Sequence, residues 1–117
     1  MDTSDKYVKM CGKAIEIQMA WVLANGDFEV RLKHGRGQVE VHHHREMTAY
    51  YKPEDHLWLP RQDQLQEMLS WKFPNKFRYI VFVFFRDNKQ FTSMEQFWLA
   101  FVMKEKYGKT WNGEDWV

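Results

Sequence analysis

Apolar and polar positions change period several times along the chain, and each change marks an element. From Ser4 to Trp21 apolar residues return at three- and four-residue steps, as Val8, Cys11, Ile15, Met19 and Val22, with Thr3 or Ser4 placed to cap the first turn. The spacing predicts one helix, slightly weakened by Gly12. Asn25-Gly26-Asp27 ends it, and the period falls to two: Phe28, Val30 and Leu32 alternate with Glu29, Arg31 and Lys33, the pattern of a half-buried strand. Gly35-Arg36 has the Gly-X form of a two-residue hairpin turn. That turn sets Leu32 opposite Val39 and Val30 opposite Val41 on one face, and Arg31 opposite Glu40 and Glu29 opposite His42 on the other. Apolar then meets apolar, and acid meets base.

From Arg45 to Leu59 no period holds, and the stretch reads as a loop. Pro60 opens a short amphipathic helix running to Trp71, with Leu65, Met68 and Leu69 on one face and Pro74 beyond its end. The run Tyr79 to Phe85 is apolar on both alternating faces and reads as a central strand covered on each side. Phe91 to Tyr107 reads as the helix around which the rest is organised. Thr92 and Glu95 stand at capping-box spacing and Gly108 follows as a stop, while Met94, Phe97, Trp98 and Phe101, joined by Leu99, Val102 and Met103, wrap it in apolar surface. Asn112-Gly113 marks a turn in the tail. The expected architecture is a single α+β domain over residues 1–117, in the order α-β-β-α-β-α. Its small sheet holds a β-hairpin and one central strand packed by helices.

Charge narrows the functional classes. The 17 Lys and Arg against 16 Asp and Glu leave a formal net charge of +1, which argues against nucleic-acid or membrane binding driven by bulk electrostatics. Aromatics form 17% of the chain, six of them Trp, enough both to thicken a core and to furnish binding anchors. Cys11 is the lone cysteine and suits a small buried hydrophobe, as in a protein of the reducing cytoplasm. The start MDTSDKY lacks the basic and greasy regions of a secretory signal, and the longest apolar run is too short to cross a bilayer.

Candidate chemistry falls into three groups. His42 and His44 alternate on one strand face, where Glu29 or Glu40 would add a carboxylate to a metal site, although no second half of a zinc pattern accompanies them. Lys72, Lys76, Arg78, Arg86 and Lys89 bracket Phe73, Phe77 and Tyr79, the mixture of cations and rings that single-strand binders use. Tyr50, Tyr51, Trp58, Trp111 and Trp116 lie outside the predicted core and are the aromatic anchors available to a protein partner. For Trp111 and Trp116 the alternative is docking of the tail onto its own domain. The acidic pairs Glu54-Asp55 and Glu114-Asp115 sit in predicted loops, and Lys33 to Gly37 fits no phosphate-binding motif. The reading therefore leans away from an enzyme and calls for no cofactor beyond the metal just considered.

Three segments carry a likeness: KMC-x-KA-x-EIQ at Lys9 to Gln18, WLPRQDQLQEML at Trp58 to Leu69, and SMEQFWLAFVMKEKYGKTWNGEDWV at Ser93 to Val117. Together they resemble a family of small proteins encoded by bacteriophages and prophages of Firmicutes. The resemblance covers about half the chain, implies a bacterial cytoplasm as the setting, and carries over no catalytic residue. With no complete catalytic constellation in the sequence, it points to an accessory protein that binds a host or defence-system protein. The hairpin from Phe28 to His44 and the loop after it lie outside the likeness.

Overall fold

A computed structural model describes residues 1–31, 39–41, 56–69 and 77–117. They gather into two compact units, Thr3–Pro60 and Met1–Asp2 with Arg61–Val117. The class is α+β, with the order α1 (Asp5–Lys13), α2 (Ile15–Met19), β1 (Phe28–Arg31), β2 (Val39–Val41), β3 (His56–Leu59), α3 (Gln62–Glu67), α4 (Phe77–Asp87) and α5 (Met94–Tyr107). None of the helices is long and apolar enough to cross a membrane among the described residues.

Ser4 caps α1 by accepting the Tyr7 amide, and Tyr7, Met10 and Cys11 are buried. The single helix expected to Trp21 is instead broken at Ala14, whose ψ of 72° leaves the helical region. The break changes the face that follows. Ile17 is buried, while Ile15, Met19 and Val22, expected to continue the buried stripe, are exposed. The Cys11 carbonyl at the break accepts the Ala14 amide at 3.1 Å and the Gln18 side-chain amide at 3.1 Å, so the break leaves it paired.

The sheet has strand order β2-β1-β3, both pairs antiparallel. Phe28 stands opposite Val41, Glu29 opposite Glu40 and Val30 opposite Val39, two residues away from the expected register. A two-residue shift keeps every side chain on its expected face and changes only its neighbour. In this register Glu29 stands directly opposite Glu40, and its described partners are Arg31 and His56. The turn itself and His42 lie outside the described residues.

β3 falls in the stretch read as a loop. It pairs Leu59 with Phe28, Trp58 with Glu29, Leu57 with Val30 and His56 with Arg31. Its outer edge is closed by a side chain: the Gln18 amide donates to the Trp58 carbonyl at 2.9 Å, and its oxygen accepts the Trp58 amide at 2.9 Å. Gln18 thus takes the place of a peptide group from a further strand. The Tyr7 hydroxyl anchors the strand's end by donating to the Pro60 carbonyl at 2.6 Å.

In the second unit α3 buries Leu65 and is followed by buried Leu69, as the spacing predicts. The run expected as a central strand is helix α4. An unbroken apolar run carries no period that separates strand from helix, and its aromatic and β-branched residues favour a strand. Its partner α5, however, offers side chains and no strand edge, so the backbone groups of the run are satisfied within the run. Phe84 packs on Phe97 and Phe101, with ring centroids 5.3 and 5.2 Å apart. Contact of Phe97 and Phe101 with this segment is therefore as expected; Trp98 contacts Phe97 and Phe101 edge-on.

The cap of α5 falls one residue later than expected, on Ser93 instead of Thr92. Ser93 caps it by accepting the Gln96 amide, and the Gln96 side chain reaches back to the Thr92 amide at 3.1 Å. Gly108, at φ 67°, ends it in the left-handed region that favours glycine. The residues from Gln96 to Met103 are all buried, so every face of that stretch is covered. The tail turns at Asn112, whose side-chain oxygen accepts the Glu114 and Asp115 amides, each at 2.8 Å. Thr110 and Val117 then exchange two backbone hydrogen bonds of 2.9 Å.

Candidate functional site

Among the described residues each unit carries a feature with chemical character. In the Thr3–Pro60 unit it is a polar cluster on the sheet face opposite Val30. Glu29 is fully buried, and a buried carboxylate is stable only when paired. One of its oxygens accepts Arg31 Nε at 3.3 Å and the other meets His56 Nδ1. On the same face the Trp58 ring stacks on Trp21, centroids 5.9 Å apart and 3° from parallel. Trp21 in turn donates its indole N–H to Asp27, whose carboxylate also accepts the Ala24 amide, both at 2.9 Å. Asp27 is itself buried, so one carboxylate oxygen holds together the loop that leads from α2 into β1. These contacts close the sheet face with the chain's own groups.

The cluster bears on the metal reading. Of its four residues, Glu29 is committed to Arg31 and His56, Glu40 lies across from it on β2, and His42 and His44 are outside the described residues. Among the described residues no three His, Cys, Asp or Glu side chains are grouped to hold a metal. His56 was missed in the sequence because its stretch showed no period; its position two residues before Trp58 on one strand face was the available signal.

The proposed aromatic anchors are placed differently from expectation. Trp58, Trp111 and Trp116 are all buried, at 4%, 6% and 8% exposure. Trp111 and Trp116 face each other across the tail bridge with ring centroids 5.0 Å apart. Tyr50 and Tyr51 lie outside the described residues. Of the proposed nucleic-acid residues, Lys72 and Lys76 also lie outside them, and Arg78 is on the first turn of α4. Arg86 pairs with the adjacent Asp87 at 3.1 Å, and Lys89 is exposed just beyond the helix.

Lys89 belongs to the second feature, a cavity of about 570 Å³ where the end of α4 meets the start of α5. Its apolar wall is Phe85, Phe91, Met94 and Phe97, and Asn88 and Thr92 contribute to its polar side. Phe85 stands edge-on to Phe97 at 5.1 Å yet remains 55% exposed, beside Met94 at 42% and, one turn back along α4, Phe82 at 63%. The α4 helix creates this surface. A strand would send Phe82 and Phe84 to the same side, whereas the helix buries Phe84 and brings Phe82 and Phe85 onto an outer face.

The wall is held from below and at both ends. Asn88 donates to the Phe84 carbonyl at 2.8 Å, closing the last turn of α4. At the start of α5 the Asp2 carboxylate accepts from Ser93 Oγ and, at 2.8 Å, from Gln96 Nε2. No protein-family model, curated protein or solved structure matches this chain.

Proposed function

We propose that the protein is a phage or prophage accessory protein that works by binding another protein, a host factor or a component of a defence system, through the cavity between α4 and α5. The observation that supports this reading is the exposure of Phe85 and Met94 in the wall of a concavity, with Phe82 exposed one turn back along α4. Large apolar side chains gathered at one exposed, concave place are characteristic of interaction sites, because leaving them in water forgoes the free energy of burial. The volume accommodates one or two large side chains of a partner. The bacterial setting rests on the likeness of the Lys9 to Gln18, Trp58 to Leu69 and Ser93 to Val117 segments to phage proteins.

The test is retention of a protein from bacterial host lysate on immobilised wild type and on a Phe82→Ser, Phe85→Ser variant whose circular dichroism matches wild type. A specific protein held by wild type and lost by the variant is the expected result. Retention of nothing, or equal retention by both, would remove the reading.

A further inference from the structure

The charge around the cavity says more about its occupant. Among its lining residues there is one cation, Lys89, and no acid. Lys89 is exposed and has no ion-pair partner among the described residues, unlike its neighbour Arg86, which Asp87 neutralises. The first residues of α5 also line the cavity, but that helix end is already capped by Ser93 and held by the Asp2 carboxylate, so the charge available to a ligand is that of Lys89.

We infer that the cavity receives an acidic segment of a partner protein, with a bulky apolar side chain seated against Phe85, Met94 and Phe97 and a neighbouring carboxylate paired with Lys89. This inference rests on the protein-binding reading above and specifies its ligand. The apolar side chain supplies most of the affinity, since burying it removes its own surface and that of Phe85 and Met94 from water. The carboxylate supplies register and selectivity, because an ion pair at an exposed rim contributes little energy but disfavours basic competitors. Lys89 lies directly between the end of α4 and the start of α5, so a carboxylate paired there places the adjacent apolar residue over the cavity mouth.

The experiment is selection of linear peptides from a random display library on the intact protein, followed by fluorescence anisotropy with enriched peptides. Enrichment of sequences carrying a large apolar residue with Asp or Glu within a few positions is expected, with binding lost on the Phe82→Ser, Phe85→Ser variant. Changing the peptide's acid to its amide should weaken binding to wild type about threefold to fivefold at low salt, and Lys89→Glu should remove that difference. Lys89 is exposed, so this variant leaves the packing of α4 on α5 untouched.

Peptides that enrich and depend on Phe85 but bind equally as acid and amide would overturn the acidic inference and leave the docking reading standing. No enrichment, or enrichment indifferent to Phe82 and Phe85, would overturn both. Equal affinity for a single-stranded DNA oligonucleotide through Lys89 would also count against a peptide ligand. So would a dimer in analytical ultracentrifugation that Phe82→Ser, Phe85→Ser abolishes, because the face would then be covered by a second copy.

Discussion

The two units are held by different means. Arg61–Val117 rests on rings: Phe84, Phe97, Trp98 and Phe101 form a chain of edge-on and tilted contacts with centroids 5.2 to 5.7 Å apart. Thr3–Pro60 adds to its buried apolar residues a set of specific polar closures, Gln18 on Trp58, Asp27 on Trp21 and Ala24, and Glu29 on Arg31 and His56. The contrast concerns tolerance as much as strength. Ring packing depends on volume and accepts many partners of similar size, whereas a polar closure fails when a single donor or acceptor is removed.

The largest expected effect breaks the ring packing. Phe101 is fully buried, and Phe101→Ala should cost about 3 to 5 kcal/mol by denaturant unfolding, with Phe101→Leu costing much less because most of the volume is kept. An unchanged unfolding midpoint for the alanine variant would show that Phe101 lies outside the core.

A smaller effect is expected from the polar side, and there shape does not rescue it. Gln18→Leu keeps the bulk but leaves the Trp58 amide and carbonyl at the sheet edge without their partner, at a cost of about 1 to 3 kcal/mol. The readout specific to this mechanism is hydrogen exchange of the Trp58 amide, which should quicken more than its neighbours'. An unaltered exchange rate would mean that Gln18 does not close that edge.

The smallest effect sharpens the contrast at the surface. Asp63 is paired with Arg61 at 3.1 Å, and the guanidinium hydrogen bond, helped by its charge and opposed by slight burial, holds the carboxyl below its ordinary value of 3.8. A carboxyl whose folded value is depressed adds stability above the unfolded value, and that stability is lost as pH falls through the folded value. With Asp63 69% exposed, the contribution should stay below about 1 kcal/mol. The stability gap between wild type and Asp63→Asn should therefore be small at neutral pH and close in strong acid; a gap that persists there would need another cause.

Legibility in the sequence follows the same division. α5 could be read because its determinants are local: a capping pair at its start, found one residue beyond the expected Thr92 and Glu95, Gly108 at its end, and apolar residues covering every face between them. The burial of Leu65 and, just beyond α3, of Leu69, the tail turn at Asn112-Gly113 and the burial of Cys11 were legible for the same reason. The alternation Phe28, Glu29, Val30, Arg31 likewise announced β1. Its pairing with β2 came out two residues from expectation because periodicity determines faces and leaves partners open.

The candidate cavity was not legible, although Lys89 had been singled out for a different chemistry. An apolar run such as Phe77 to Phe85 satisfies strand and helix patterns alike, and only the helical partner α5 decided which backbone conformation could satisfy it. The polar closures were equally hidden, because Gln18 and Trp58 lie 40 residues apart and nothing in either neighbourhood announces the other. By itself the sequence determined those elements whose hydrogen bonds close within a few residues, and which of their faces are apolar. The tertiary structure decided the break at Ala14, the strand at His56–Leu59, the helix at Phe77–Asp87 and the exposed rings at its outer face, because each depends on which distant group satisfies a buried amide, carbonyl or carboxylate.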